Sequence, residues 1–276
     1  MPTTQPTTSQ DVESLYFAGA DVGASRTKVA VIDADGHMVG YRVHRSGTDF
    51  TATADRCLTE ALAMADIGKD QLGRTISTGY GRKNVSYAQD QRTEISCHGK
   101  GCYHYFSFAI TIVDIGGQDN KIIKIDGNGR RTAFKMNRKC AAGTGAFLEE
   151  MSPRLDIPLS EMNGLAAAST DMVKLGSFCT VFSATEVLEN IRRGKRVEDI
   201  VKGLFFSVIS RITEMDAFTE KVVMTGGVVA HNPYLVEMTQ ELIKRPILVP
   251  KLPQFTGALG AALYARETFE TCGIRN

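Results

Sequence analysis

Two stretches of this sequence match each other when the chain is shifted by 93 positions. Each stretch has the pattern of an apolar strand, a turn of small and polar residues, and a second strand rich in β-branched residues. Such internal similarity indicates a duplicated unit, so we expect two similar halves. The matched pairs are Asp21 with Asp114, Gly23 with Gly116, Lys28 with Lys121, Ile32 with Ile125, Asp33 with Asp126 and Gly36 with Gly129.

Beyond the repeated hairpin, hydrophobic periodicity predicts further strands and helices. In the first half, a third strand near 38–43, a helix over 51–65 and a strand over 74–77 follow in that order. We expect an α/β protein whose two halves, 15–110 and 111–276, face each other across a cleft, preceded by a disordered polar tail over 1–14. The second half is richer in helix, with amphipathic segments near 146–155, 160–168, 183–193, 197–218, 234–243 and 256–269 and a strand over 221–224.

Charge and hydropathy argue against two classes of partner. The 276 residues include 32 Lys and Arg and 31 Asp and Glu, and the net charge of +1 favours neither nucleic acid nor an anionic membrane. Residues 1–10 lack the basic and apolar regions of a signal peptide, and no apolar run approaches the ~20 residues that span a bilayer. The expected location is therefore the cytoplasm.

The turn of the first hairpin is typical of a phosphate-binding loop. Small and hydroxylated residues after Asp21 leave several backbone amides uncovered, and such amides form an anion-binding concavity. Asp21 and Asp114 end the first strand of each half, and we expect the pair to face across the cleft and hold a hydrated Mg²⁺. Either loop alone is equally compatible with an ordinary β-turn. The phosphate-binding candidates in the first loop are Gly23, Ala24, Ser25, Arg26, Thr27 and Lys28.

A third glycine-rich turn favours a nucleotide as the ligand. An apolar strand runs into Gly226 and Gly227, and a helix is predicted to begin near Pro233, a favoured first-turn residue. Paired glycines allow a flat base or a ribose to approach the main chain, and Asn232 is a candidate to cap the helix or bind the sugar. Gln254 opens a fourth turn that joins the nucleotide-binding candidates. Two phosphate loops and one nucleoside loop in this order are far more specific than any of them alone.

These turns together resemble those of the superfamily of acetate and sugar kinases, heat-shock 70 proteins and actin. The resemblance covers nearly the whole chain and implies duplicated RNase H-like halves that hold ATP between them. It implies that 21–28 is the first phosphate loop, that 114–119 with Gly116 and Gly117 is the second, and that 226–232 is the adenosine segment. Both ATP hydrolysis and phosphoryl transfer occur on this fold, so the function has to be argued from other residues.

Two of the six cysteines lie in similar contexts. Cys140 precedes a Gly-Thr-Gly turn and a predicted helix, and Cys179 precedes a helix for which Ser183 and Glu186 form a candidate capping box. A thiolate at a helix N-terminus is stabilised by the helix dipole and is suited to bind metal, whereas a buried structural cysteine is the alternative. An iron–sulfur cube takes four thiolates, which a two-fold dimer supplies from two cysteines in each chain.

Eight motifs are spread along the chain: Asp21-Val-Gly23, Thr78-Gly-Tyr-Gly81, Glu94-Ile-Ser-Cys-His98, Asp114-Ile-Gly-Gly-Gln-Asp119, Lys139-Cys-Ala-Ala-Gly-Thr-Gly145, Cys179-Thr-Val-Phe182, Thr225-Gly-Gly227 and Gly257-Ala-Leu-Gly-Ala-Ala-Leu-Tyr264. Together they resemble one family, the activators of 2-hydroxyacyl-CoA dehydratases and the ATPase subunits of benzoyl-CoA reductase. The resemblance implies a [4Fe-4S] cluster held by Cys140 and Cys179 and by the same residues of a second copy or a paralogous ATPase subunit.

The same resemblance implies the activity. ATP is hydrolysed to ADP with Mg²⁺ present, and Asp21, Asp114 and Gln118 are the implied catalytic residues. Hydrolysis would drive one low-potential electron from a reduced ferredoxin or flavodoxin through the cluster to an iron–sulfur dehydratase or reductase component.

The sequence departs from that family at two points. Members usually carry an additional acidic residue between the Phe after the second cysteine and the final Glu, where this chain has Ala184 before Glu186. The adenosine segment, which ends at Asn232, is one residue longer than the common pattern. The first departure bears on how ATP chemistry is coupled to the helix, and the second bears on the assignment of Asn232 to the ribose.

Two other functions fit the same fold. A small-molecule kinase would need a carboxylate base near the γ-phosphate, for which Asp119 is the candidate, and a nucleotide-regulated scaffold would need no cluster. Neither function explains the two cysteine turns. Cys97 and Cys102 flank His98 in a spacing that superficially suggests zinc, although structural packing explains it better.

Overall fold

The computed structural model describes residues 15–137, 140–176, 179–218 and 221–273, and the predicted tail over 1–14 lies outside them. These residues contain two five-stranded sheets. The strands of the first sheet are β1 Tyr16–Val22, β2 Arg26–Ile32, β3 Met38–Arg45, β4 Leu72–Thr78 and β5 Asp90–Gln91. Those of the second are β6 Ile110–Ile115, β7 Asn120–Ile125, β8 Arg131–Asn137, β9 Val222–Thr225 and β10 Ile247–Leu248.

The two sheets share one topology. Their strand orders are β3-β2-β1-β4-β5 and β8-β7-β6-β9-β10. In each sheet the first three strands form an antiparallel meander, and the fourth strand pairs parallel to the first. Because parallel pairing needs a crossover connection, each half is an α/β unit rather than a simple β-meander. The predicted duplicated α/β fold is confirmed.

The repeat extends to individual turn residues. Between β2 and β3, Asp33 Oδ1 accepts the amides of Asp35 and His37, and Gly36 has a φ of 91°. Between β7 and β8, Asp126 Oδ1 accepts the corresponding amides, and Gly129 has a φ of 76°. Both glycines adopt the left-handed conformation that side chains disfavour, which explains their conservation within the repeat.

The helices divide unevenly between the halves. The connection from β3 to β4 holds one α-helix, whereas that from β8 to β9 holds four among its described residues, and both candidate cluster cysteines lie in this longer connection. The helices are α1 Phe50–Ala65, α2 Glu94–Tyr105, α3 Gly145–Met151, α4 Met162–Ala168, α5 Thr180–Arg192, α6 Val197–Thr213, α7 Gly227–His231, α8 Pro233–Ile243 and α9 Thr256–Gly273.

Helix α1 shows why these segments fold as they do. Asp49 caps its first turn by accepting the Ala52 amide at 2.9 Å, and Asp66 ends it in the left-handed conformation. Its buried residues recur every three or four positions and therefore form one stripe, which packs against the first sheet. This stripe consists of Ala54, Cys57, Leu58, Ala61 and Leu62.

The last helix does not pack with the second sheet. Helix α9 covers the face of the first sheet opposite α1, and α2 covers one face of the second sheet, so α2 and α9 form a central layer between the sheets. Their backbones approach closely, since a Cβ on Gly101 would overlap the Thr256 carbonyl and one on Gly260 the Cys97 carbonyl. The boundary at 110 stays a prediction, and α9 packs on the half that precedes it.

The remaining helices, α3 to α8, enclose the largest apolar core on the other face of the second sheet. Helix α6 is central to this core and buries residues from Ile200 to Ile212. Among the described residues, no helix is both long and apolar enough to cross a membrane.

Candidate functional site

The first predicted phosphate loop is a tight turn between β1 and β2. The Gly23 amide donates to the Arg26 carbonyl at 3.1 Å, and Ser46 braces the turn by donating its hydroxyl to the Gly23 carbonyl at 2.6 Å. Ala24 is exposed at the tip. The side chain of Thr27 is fully buried, and its hydroxyl lies 2.9 Å from the Ser46 hydroxyl. Thr27 therefore supports the turn rather than presenting its hydroxyl to a phosphate.

The second predicted loop repeats this geometry. The Gly116 amide donates to the Asp119 carbonyl at 2.9 Å, in the positions that Gly23 and Arg26 occupy in the repeat. Gln118 is exposed at the tip. The two turns face each other closely, since a Cβ on Gly117 would lie 2.7 Å from the Cβ of Ser25. The structure thus brings the two predicted phosphate loops together.

Helix α3 begins against the second turn. The amides of Gly145 and Ala146 donate to the carbonyls of Gly116 and Gly117 at 2.9 and 2.7 Å. On the same helix, Glu149 lies 3.9 Å from the Arg26 guanidinium of the first turn. The segment that follows Cys140 is therefore in contact with both loops.

In the first half, Asp21 is buried and only half paired. Lys28 Nζ donates to Asp21 Oδ2 at 3.2 Å. Oδ1 of Asp21 is buried and accepts no hydrogen bond. A buried carboxylate oxygen without a partner is uncommon and points to a ligand or water at that position.

In the second half, Asp114 is fully paired. Lys121 donates to its Oδ2 at 3.1 Å, and the Thr225 hydroxyl donates to its Oδ1 at 2.9 Å. Burial alone would raise the pKa of Asp114, but the nearby charges of His98 and Lys121 and the Thr225 hydrogen bond outweigh it and hold the pKa well below its ordinary value. Asp114 is therefore ionised throughout the physiological range.

Lys121 is enclosed by three carboxylates. Besides Asp114, it contacts Asp119 at 2.7 Å and Glu94 at 2.9 Å, and it is itself buried. Burial would lower the pKa of Lys121, but the charges of Asp114, Glu94 and Asp119 raise it above its ordinary value. An ammonium held in this way orders the carboxylates around it.

The nucleoside turn has a counterpart in the first half. Gly226 follows β9 with a φ of 101°, and Gly79 follows β4 with a φ of 90°. A Cβ on Gly226 would overlap the Ile115 carbonyl, and one on Gly79 would overlap the equivalent carbonyl of Val22. Both glycines are thus required by the same close approach to the end of the first strand in each half.

The other residues predicted to bind the nucleoside differ in their surroundings. The Gly226 amide donates to the Pro253 carbonyl at 2.9 Å, which brings the turn containing Gln254 beside it. A Cβ on Gly227 would meet nothing within 4 Å, so a planar ligand has room there. Asn232 is buried and donates Nδ2 to the Val228 carbonyl at 2.8 Å. Its side chain does not cap α8, so the predicted capping role is wrong.

The two candidate metal-binding cysteines are accessible to different degrees. Cys140 is half-buried, and Cys179 is exposed at the N-cap of α5. The predicted capping box at Ser183 is wrong, because the Ser183 amide already donates to the Cys179 carbonyl within the helix and Glu186 accepts the Gly176 amide. Helix α5 therefore begins earlier, directly after the thiol.

The two cysteines whose spacing suggested zinc belong to the core. Cys97 and Cys102 are fully buried, and burial raises the pKa of Cys97 to about 12. Ala184 is also buried, within the apolar core of the second half. The position at which the resemblance implies an acidic residue is therefore a packing position in this chain.

Sequence analysis placed Glu94, His98 and Thr225 in motifs but did not predict that they lie around Asp114. For Thr225 a signal was available, because a Thr-Gly pair ends the fourth strand in both halves, at Thr78 and at Thr225. For Glu94 and His98 the motif gave no position, since only the packing of α2 on the second sheet brings them to Asp114.

The fold and these facing turns define a nucleotide-binding protein of the duplicated RNase H-like class. The chain belongs to the BadF/BadG/BcrA/BcrD ATPase family, whose model matches residues 18–265. The activator of lactoyl-CoA dehydratase from Anaerotignum propionicum is 41% identical over 256 residues, which cover 92% of this chain and 98% of that protein. The predicted ATPase family is confirmed.

Two solved structures of such proteins superpose closely on this chain. Component A of (R)-2-hydroxyglutaryl-CoA dehydratase from Acidaminococcus fermentans gives a TM-score of 0.88 at 38% identity, over 93% of this chain and 100% of that one. The activator of 2-hydroxyisocaproyl-CoA dehydratase from Clostridium difficile, solved with bound ADPNP, gives 0.89 at 37% identity, over 95% and 98%.

Proposed function

We propose that this chain is an ATP-driven activator that delivers single low-potential electrons to an iron–sulfur dehydratase or reductase acting on acyl-CoA substrates. A reduced ferredoxin or flavodoxin is the proposed donor, and the cytoplasm is the proposed location. The observation that carries the proposal is the accessibility of Cys140 and Cys179, neither of which is fully buried. Both lie in the long connection from β8 to β9, which has no counterpart of similar length in the first half.

In the proposed nucleotide site, the two facing turns bind the phosphates of ATP. The orphaned Oδ1 of Asp21 fits a hydrated Mg²⁺, which keeps most of its waters and needs only one or two carboxylates. When bound, Mg²⁺ neutralises charge that develops on the phosphoryl group. Asp114 would be the second carboxylate, and Gln118, exposed at the tip of the second turn, is the candidate for orienting the attacking water.

Cys140 and Cys179 fit a cluster shared with a second copy of this chain or with a paralogous ATPase subunit. Cys179 lies at the N-terminus of α5, where the helix dipole favours a thiolate. Two thiolates from each of two chains meet the requirement of a [4Fe-4S] cluster, which supplies one-electron transfer when bound.

The exposed face of α5 supports a second subunit at this position. Val181, Phe182 and Leu188 follow Cys179 on α5, and their side chains are 72%, 65% and 55% exposed. Large apolar side chains grouped beside a functional residue mark an interaction surface. A two-fold partner would cover these residues and bring its own cysteines to the same place.

The contacts of α3 connect the proposed nucleotide site with the segment that carries Cys140. The first amides of α3 bind the carbonyls of Gly116 and Gly117, and Glu149 approaches Arg26. A change in the separation of the two turns on ATP binding would therefore move α3 and the segment between Cys140 and Gly145. This contact makes the accessibility of the thiols depend on the nucleotide.

Iron analysis after anaerobic purification tests the proposal. We expect a brown protein with about four irons per two chains, and expect Cys140→Ser and Cys179→Ser each to abolish iron binding while ATP binding remains. Cys272→Ser is the matched control, because Cys272 is also exposed but lies at the end of α9. Iron retained in Cys140→Ser and Cys179→Ser, or a wild-type protein without iron, would contradict the proposal.

A further inference from the structure

We propose that Glu94 and His98 on α2 are positioning residues of the ATP site, which hold Asp114 and Lys121 and link their placement to α9 and the first half. The inference rests on the proposed function, in which Asp114 acts in ATP hydrolysis. Glu94 and His98 lie outside both phosphate loops in the sequence, but the fold brings them to the ion pair of Asp114 with Lys121.

Glu94 and His98 are four residues apart on α2 and therefore lie on one helix face. Glu94 Oε1 forms an ion pair with Lys121 Nζ at 2.9 Å. His98 Nδ1 lies 3.7 Å from Asp114 Oδ1, and its Nε2 lies 3.9 Å from Glu94 Oε1. Because His98, Lys121 and Asp114 are buried, His98 acts on the Asp114 carboxylate, and Glu94 on the Lys121 ammonium, where water is largely excluded.

The same imidazole reaches the last helix. His98 Nδ1 lies 3.1 Å from the Thr256 hydroxyl, at the first residue of α9 and 158 positions away in the chain. A Cβ on the next residue, Gly257, would lie 3.1 Å from both His98 Nε2 and Asp21 Oδ2. The start of α9 is thus wedged between the aspartate of the first loop and the imidazole that faces the aspartate of the second.

This arrangement spans the cleft. Helix α9 packs on the first sheet and α2 on the second, and the two helices pack on each other. The contact of His98 with Thr256 is therefore among those that a change in the angle between the halves would alter. It bears on Asp114, because the position of Asp114 is set by Lys121, His98 and Thr225.

Among the described residues of the first half, no second helix contributes a charged group to the aspartate and its lysine. Lys28 is the only described side chain that donates to Asp21, and Asp21 Oδ1 accepts nothing. If Glu94 served only to neutralise a buried lysine, Asp114 and Asp119 would already suffice. The third carboxylate instead comes from α2, which is the element that contacts α9. The additional contact therefore serves to place Lys121 and Asp114 relative to the central helices.

The test compares variants of Glu94 and His98 with a control variant at another contact between α2 and α9. Glu94→Gln keeps the side-chain shape and leaves Lys121 with two carboxylates, so we expect this variant to fold. His98→Leu removes the contact to Thr256, whereas His98→Asn keeps an amide that can donate or accept near the position of Nδ1. Glu267→Gln is the matched control, because Glu267 on α9 pairs with Lys100 on α2 but touches neither aspartate.

We expect Glu94→Gln and His98→Leu to lower kcat for ATP hydrolysis on the order of tenfold to a hundredfold, the range found for residues that orient a catalytic ligand. The Kd for ADP, measured by calorimetry, should change by less than about twofold, and His98→Asn should recover most of kcat. Glu267→Gln should keep the wild-type kcat, whatever its effect on Tm.

Three results would overturn the inference: wild-type kcat in Glu94→Gln and His98→Leu, an equal loss in Glu267→Gln, or no difference between His98→Asn and His98→Leu. If Glu94→Gln fails to fold, the two His98 variants decide. A wild-type chain that does not hydrolyse ATP would instead contradict the proposed function, so the two failures are distinguishable.

Discussion

The two phosphate turns share a backbone but differ in how their aspartates are held. Lys28 pairs with Asp21 alone and its side chain is 18% exposed, whereas Lys121 is 2% exposed and contacts three carboxylates. Asp21 keeps a buried oxygen without a partner, and Asp114 keeps none. One carboxylate therefore has an oxygen available to a ligand, while the other is held in an ionic network.

The largest expected difference between the halves concerns stability. Lys121→Met would leave three carboxylates close together and partly buried, at a cost of about 3–5 kcal/mol. Lys28→Met removes a single charged hydrogen bond and should cost about 1.5–3 kcal/mol. Urea unfolding of both variants without nucleotide measures the difference. Equal destabilisation would show that the two networks are equivalent in energy.

Substitution of the two aspartates should separate catalysis from stability. Asp21→Asn removes the carboxylate that has a free oxygen, and we expect ATP hydrolysis to fall on the order of a hundredfold with a smaller fall in Tm than in Asp114→Asn. Asp114→Asn should lower Tm markedly, because it breaks the contacts with Lys121, His98 and Thr225. Steady-state ATPase assays and thermal melts of the two variants, run in parallel, check this. A fall in Tm for Asp21→Asn as large as that for Asp114→Asn would break the comparison.

The glycines after β4 and β9 should instead behave alike. Gly79→Ala and Gly226→Ala each place a Cβ at a positive φ against the carbonyl that ends the first strand. We expect each to cost about 1–3 kcal/mol in the free energy of unfolding. Similar losses of unfolding free energy would show that the two glycine turns are equivalent, although the two aspartates are not. A much smaller loss for Gly79→Ala would indicate that the backbone of the first half adjusts more readily to the added Cβ.

The smallest effect is expected in the pH dependence of unfolding. The pKa of Asp114 is lower in the folded chain than its ordinary value of 3.8, so Asp114 contributes stability above pH 3.8 that is lost as the pH falls towards its folded pKa. Below pH 3.8 the free energy of unfolding of wild type should therefore fall more steeply than that of Asp114→Asn. Parallel slopes, measured by urea titration, would contradict the ionised state assigned to Asp114.

Several features of this chain follow from the sequence alone. The shift that superposes Asp21 on Asp114 predicts two hairpins and two turns, and both are found with the same hydrogen bonds. These features are local, because strand alternation and turn chemistry depend on residues a few positions apart. The glycine turn at Gly226 was predictable for the same reason.

Other features were decided by the tertiary structure. The side chain of Thr27 is turned towards Ser46, and α5 begins directly after Cys179, because packing and the available amides compete with local capping patterns. Helix α9 lies on the first sheet, where it brings Thr256 to His98. Contacts between residues more than a hundred positions apart have no local signature, since they depend on which apolar faces are buried against each other. The sequence therefore determined the two loops, and only the packing of the central helices decided how differently their aspartates are held.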